Sequence, residues 1–113
     1  MWKRSTPPAR RRRHEQRRPD LPATIATVEP ARIILRLCKH WGHKWPVQYD
    51  EQHGRIELPM GTVHLQAGEG RLTARLDAAP DADLDRLEQV VAEHAQRMAR
   101  GETYVWDWRR QAA

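Results

Sequence analysis

Four short runs in the middle of the chain alternate apolar and polar residues with a period of two, which is the pattern of half-buried β-strands. Turn-forming stretches separate the runs, at Asp50 through Gly54, at Pro59-Met60-Gly61 and at Gly68-Glu69-Gly70. The pattern predicts an antiparallel meander that buries one face. The apolar positions are Trp45, Val47 and Tyr49, then Ile56, Leu58 and Met60, then Val63, Leu65 and Ala67, then Leu72, Ala74 and Leu76.

Two segments with helical spacing flank the meander. The first, residues 31–41, is expected to stop at Gly42, and the second, residues 81–100, to start at Pro80-Asp81 and to close at Gly101. Each carries one apolar stripe, as a helix covering a sheet should. The stripes are Ile34, Leu37, Cys38 and Trp41 in the first segment and Leu84, Leu87, Val91, Ala95 and Met98 in the second.

Two further strands complete the order, one at Thr24–Val28 and one at Tyr104–Trp108. The predicted fold is α+β with the order β-α-β-β-β-β-α-β, an antiparallel sheet of about six strands with both helices packed on one face. With 113 residues and 39% apolar composition the chain is long enough for one core, so residues 22–113 are expected to form a single domain.

The amino-acid composition indicates in which cellular compartment the protein is expected. The chain contains one cysteine, so no intrachain disulfide can form, and no apolar run approaches the roughly 20 residues of a membrane span. No apolar segment of a secretory signal follows the basic start either. We therefore expect a cytoplasmic protein with no membrane contact.

Residues 1–21 hold eight Lys and Arg against two acidic residues, whereas the rest of the chain is nearly neutral. With few apolar side chains this segment is predicted to be a disordered basic arm. The run Arg10, Arg11, Arg12 and Arg13 is a candidate site for nucleic acid or another anion, bound through phosphate contacts. A solvated arm without function is the other interpretation.

Histidines supply the candidate chemistry. His40 and His43 can share a ligand if the first helix persists past Gly42, and His94 lies on the flank of the second helix, from which it can approach them. The three residues are candidate ligands of a transition metal, haem or an iron chelate. The alternative is that half-buried His94 hydrogen-bonds a carbonyl or carboxylate and only fixes packing. Cys38 falls within the apolar stripe and is interpreted as core.

Catalytic motifs are missing from the sequence. It contains no Gly-rich phosphate loop, nucleophile elbow or HExxH pattern. The acidic clusters fall in a turn and at a helix start, where carboxylates are expected for structural reasons. We do not expect an enzyme.

Over residues 22–110 the sequence resembles the bacterial family called domain of unknown function 2218, DUF2218. The resemblance rests on Leu37-Cys38 with His40, His43 and Lys44, on Val47, on the stretch from Gly54 to Gly61, on His94 with Arg97, and on Trp108-Arg109. Trp41, Leu58 and Met60 stand where such sequences have Phe.

The resemblance implies a small cytoplasmic protein, or a domain joined to a flavin-dependent siderophore-interacting reductase, and hence an association with iron or siderophore handling. It implies no catalytic residue. It adds Lys44, Trp108 and Arg109 to the candidate binding residues, with iron or another transition metal as the candidate cofactor and an iron chelate or the reductase as the candidate partner.

The sequence thus predicts a non-enzymatic binding or accessory module linked to iron or siderophores. Two alternatives stay open. One is a protein that binds anions or nucleic acid through the arm. The other is a structural partner protein that dimerises through an edge strand around Trp106 and Trp108.

Overall fold

A computed structural model describes residues 20–110, which form seven strands and two helices. The strands are β1 (Asp20–Leu21), β2 (Ala23–Ala26), β3 (Val47–Tyr49), β4 (His53–Leu58), β5 (Gly61–Gly68), β6 (Arg71–Ala78) and β7 (Arg109–Arg110). The helices are α1 (Pro30–Trp41), between β2 and β3, and α2 (Leu84–Met98), between β6 and β7. The Arg10–Arg13 run and most of the predicted arm lie outside the described residues.

Five strands form one antiparallel sheet in the order β2-β6-β5-β4-β3. Strands β3 to β6 are the predicted meander, joined by hairpins in which Ile56 pairs with Val63 and Val63 with Leu76. The α+β class and the order of helices and strands are confirmed. Asp20 and Leu21, which the sequence places in the arm, instead pair with β7 as a separate two-stranded sheet.

The core lies between one face of the sheet and the two helices, as the apolar stripes predict. Helix α1 buries Ile33, Ile34, Leu37, Cys38 and Trp41, and α2 buries Leu87, Val91 and Ala95. Helix α1 packs tightly on the sheet at Gly54 of β4, where an added Cβ would lie 2.9 Å from Ile34 Cγ2 and 3.1 Å from Cys38 Sγ. A glycine is therefore needed here so that the helix can rest on the strand.

Helix α2 begins later than the sequence predicts, at Leu84 rather than near Asp81. The reason is its N-cap. Asp83 has an extended backbone, and its carboxylate accepts hydrogen bonds from the amides of Asp85, at 3.0 Å, and Arg86, at 3.4 Å. These bonds satisfy backbone donors that have no partner inside the helix.

The predicted strand Tyr104–Trp108 is wrong, because none of these residues joins a ladder. Side chains, rather than a neighbouring strand, form hydrogen bonds with the backbone at the start of this segment. Gln96 of α2 accepts a hydrogen bond from the Tyr104 amide and donates one to the Glu102 carbonyl, both at 2.8 Å. The last strand is β7 at Arg109–Arg110, and the main sheet has five strands rather than about six.

Within residues 20–110, neither helix combines the length and the apolar character that a membrane span would need.

Candidate functional site

Side chains from both helices meet at the C-terminal end of α1. The ring of His94, on α2, lies 5.2 Å from the ring of His40 and 4.8 Å from that of Trp41, measured between centroids. Trp41 is 7% exposed, whereas His40 is exposed and His94 is half-buried. The predicted approach of His94 to His40 therefore occurs, and a buried indole supports it.

A hydrogen bond fixes the orientation of the His94 ring. Its Nδ1 lies 2.7 Å from the carbonyl oxygen of Val90, one turn earlier in α2. Since a carbonyl only accepts, Nδ1 carries a proton in this arrangement. The packing role that the sequence offered as the alternative is thus present.

His43 does not lie on the helix. Helix α1 ends at Trp41, with Gly42 as its C-cap, and the chain then turns, so the condition under which His40 and His43 would share a helical face is not met. A Cβ at Gly42 would lie 2.7 Å from the Cys38 carbonyl oxygen. A side chain at position 42 would therefore crowd that carbonyl, which favours glycine as the C-cap.

The turn after α1 nevertheless brings His43 and Lys44 to the same surface depression as His40. The pocket has a volume of about 400 Å³ and is lined by His40, Trp41, His43, Lys44 and Trp45. Amides of Lys44 and Trp45 donate hydrogen bonds to the Trp41 carbonyl, at 3.1 and 2.9 Å, which holds the turn against the helix end. We call these five residues with His94 the helix-end pocket.

The helix-end pocket has a positive electrostatic environment. Partial burial lowers the pKa of His40, and the charges of His94, Arg97 and His43 lower it further. Each of these neighbours disfavours a further positive charge on His40. The same arrangement favours a ligand that brings negative charge.

The donors do not fit a metal ion held by the protein alone, which needs three or four converging ligands. Within residues 20–110, no group of three or more His, Cys, Asp or Glu side chains is placed to hold such an ion. The structure brings His40 and His94 into ring contact, whereas His43 lies beyond the end of the helix. The site thus offers a close pair of imidazoles instead of the predicted set of three.

Cys38 is a core residue, as its place in the apolar stripe predicts. Its side chain is fully buried, and burial raises the pKa of its thiol to about 11. The thiol therefore stays protonated at neutral pH, which makes it a poor nucleophile.

Trp108 and Arg109 do not line the helix-end pocket. Trp108 stacks on Trp106 with ring centroids 5.0 Å apart and an interplanar angle of 8°, and both pack against the core. Arg109 forms an ion pair with Asp107 at 2.9 Å. The edge strand around Trp106 and Trp108 that would support dimerisation does not form.

The sequence reasoning missed a row of basic side chains on the other face of the sheet. Register places Gln48, Arg55, His64 and Arg75 side by side across β3, β4, β5 and β6. They line a groove of about 510 Å³. None of the four is among the candidate binding residues that the sequence predicts, and the turn positions, which set the hairpin register, are the signal for their alignment.

The family model described as an uncharacterised protein conserved in bacteria, DUF2218, matches residues 22–109. Among solved structures, the NMR structure of PA4090 from Pseudomonas aeruginosa is similar, with a TM-score of 0.64 and 33% sequence identity. The similarity covers 82% of this chain and 95% of that one. No curated protein matches the chain.

Proposed function

The chain belongs to the bacterial family DUF2218, and on that premise we propose that it is a non-enzymatic accessory module that binds an iron chelate in the helix-end pocket. The observation that carries the proposal is the convergence of His40, Trp41 and His94 from two helices. His40 and Trp41 line one depression together with His43, Lys44 and Trp45, and the His94 ring contacts both of their rings.

A chelate fits this pocket better than free iron does. A siderophore supplies the ligands of its own iron, so the protein needs to contribute no complete set of donors. It needs only contacts that recognise the outer surface of the complex. The outer surface of a ferric tris-catecholate consists of aromatic rings and carries negative charge. Trp41 and Trp45 supply apolar surface, and Lys44 supplies positive charge.

Titration of the full chain with a ferric tris-catecholate, followed by calorimetry, tests the proposal. We expect the paired substitutions His40→Gln and His94→Gln to raise the Kd at least about tenfold, since each removes a ring and a basic group from the pocket. His40→Gln alone alters an exposed side chain and shows the direction of the effect without risk to the core.

The matched control is His53→Gln, which changes an exposed histidine at the start of β4, away from the helix-end pocket. It should leave the Kd within about twofold. A chelate that binds equally well to all variants, or that does not bind the unaltered chain, contradicts the proposal.

The family resemblance extends the proposal to a partner, a siderophore-interacting flavin reductase in the cytoplasm, to which the module would present the chelate. Sedimentation of the chain with such a reductase, with and without the chelate, measures the association. Binding that strengthens when the chelate is present is the expected result, and co-sedimentation independent of it would speak against delivery.

A further inference from the structure

We propose a second binding site, independent of the helix-end pocket, in which the uncovered face of the sheet holds a small molecule that carries a doubly charged oxyanion. The site is the groove whose floor is the row Arg55, His64 and Arg75. We call this row the basic row.

The register of two hairpins brings the three side chains of the basic row next to one another. Arg55 of β4 pairs with His64 of β5, and His64 pairs with Arg75 of β6. Neighbouring strands lie about 4.8 Å apart, so the two arginines flank the histidine at backbone positions roughly 10 Å from each other. Arginine side chains are long enough to converge from both sides on an oxyanion above His64, and their planar groups suit carboxylate and phosphate.

The acidic residues of this face lie in a different row. Asp77 and Glu57 flank Thr62 in the next pairing along the strands, and neither lines the groove. Glu57 does reach Arg55 at 3.4 Å, but both side chains are about half exposed. An exposed pair of this kind contributes little stability, so a ligand anion can compete for the guanidinium.

The carboxylate that does line the groove already has partners. Asp50 accepts hydrogen bonds from the amides of Gln52 and His53, both at 2.8 Å, and faces the His53 ring at 3.5 Å. These interactions hold the pKa of Asp50 below its usual value, against a smaller opposing effect of desolvation. The carboxylate of Asp50 is therefore held by the turn that joins β3 to β4 and is not paired with either arginine of the basic row.

Size and composition favour a small molecule over a nucleic acid. The groove volume of about 510 Å³ is in the range of small-molecule sites. Gln66 and Thr73 extend the floor with groups that can hydrogen-bond a polar ligand. Among the described residues that line the groove, Tyr49 is the only Phe, Tyr or Trp side chain. Stacking surfaces for single-stranded nucleic acid use several such rings.

His64 makes the site sensitive to pH. Burial, followed by the charges of Arg75 and Arg55, lowers the pKa of His64, and Asp77 opposes this shift. The charged and titratable groups that flank it are Arg55, Glu57 and His53 on β4 and Arg75 and Asp77 on β6. An oxyanion bound between the arginines offsets their repulsion, so binding raises the pKa of His64 and tightens as the pH falls.

Two-dimensional ¹⁵N–¹H spectra of the full chain, titrated separately with inorganic phosphate and with succinate, test the proposal. We expect amides of β4, β5 and β6 around the basic row to shift, and the Kd, referred to the concentration of the doubly charged form of each probe, to fall from neutral pH to a pH of about 6. The two probes distinguish a phosphate ligand from a dicarboxylate, and saturable binding of either one supports the site.

Substitutions in the basic row test whether its side chains bind the anion. The paired substitutions Arg55→Gln and Arg75→Gln should raise the Kd at least about tenfold. Arg71→Gln, in the same strand as Arg75 but outside the groove, should change it less than about twofold. Unchanged dispersion of the spectra verifies that each variant is folded.

Three results would overturn the proposal. The first is a set of shifts confined to residues 1–19, which would place the anion on the arm. The second is an equal loss of affinity in Arg71→Gln and in the paired variant. The third is displacement of both probes by a single-stranded oligonucleotide that itself binds through the row, which would make the ligand a nucleic acid. A failure here leaves chelate binding in the helix-end pocket intact, because the two tests alter different residues.

Discussion

Single side chains tie distant parts of this small domain together. Thr27, 3% exposed, donates a hydrogen bond of 2.7 Å to Glu102 Oε1, contacts the Tyr104 hydroxyl at 3.2 Å and accepts one from the Glu29 amide. Hydrogen bonds from Thr27, the Val28 amide and Tyr104 lower the pKa of Glu102, against the opposing effect of burial. The segment after α2 is thereby held to the start of α1 without a strand.

We expect Thr27→Val to lower the free energy of unfolding by about 1–3 kcal/mol at neutral pH, because it leaves partners of the hydroxyl unsatisfied. Chemical denaturation measures the change. A group with a depressed folded pKa loses its stabilising effect as the pH falls through that pKa, so the difference between variant and parent should narrow in acid.

Thr24→Val is the matched control, since Thr24 forms an exposed contact with Thr73 at 3.0 Å on the uncovered face. It should change stability by no more than about 0.5 kcal/mol. Equal losses in the two threonine variants, or a difference that does not depend on pH, would show that Thr27 does not act through Glu102.

The spacing of apolar residues predicts which helices and strands form. Hydrogen bonds from individual side chains decide at which residue each of them begins or ends. The four-strand meander and both helices follow from the spacing of apolar residues. The start of α2 does not, because aspartates stand at positions 81, 83 and 85 and only the structure shows that Asp83 caps the helix. The conformation of Tyr104–Trp108 does not follow from spacing either. Its apolar and polar residues alternate as in a strand, but the Gln96 side chain forms hydrogen bonds with the backbone at Glu102 and Tyr104 instead.

The cap gives a prediction at this scale. Asp83→Ala should destabilise the protein by about 1 kcal/mol, because the amides of Asp85 and Arg86 lose their acceptor. Asp81→Ala removes the same charge two residues earlier, outside the helix, and should cost much less. Thermal unfolding of both variants compares them, and equal shifts in Tm would mean that charge near the helix start, rather than the cap, is responsible.

The whole molecule presents two different faces. The covered face of the sheet positions the helices, and through them the contact of His40, Trp41 and His94. The sequence could predict that His94 approaches His40, since both lie at edges of apolar stripes that cover the same sheet. It could not predict that His43 leaves the helix, or that three strands align Arg55, His64 and Arg75, because these depend on the turn after Gly42 and on hairpin register.

The most direct test of chelate binding in the helix-end pocket is a ¹⁵N–¹H titration of the full chain with the gallium form of a tris-catecholate, which is diamagnetic and leaves the spectra sharp. The account predicts saturable shifts at the amides of residues 39–45 and at His94, with smaller changes on the uncovered face of the sheet. Shifts confined to the arm or to the groove, with residues 39–45 and His94 unmoved, would contradict it.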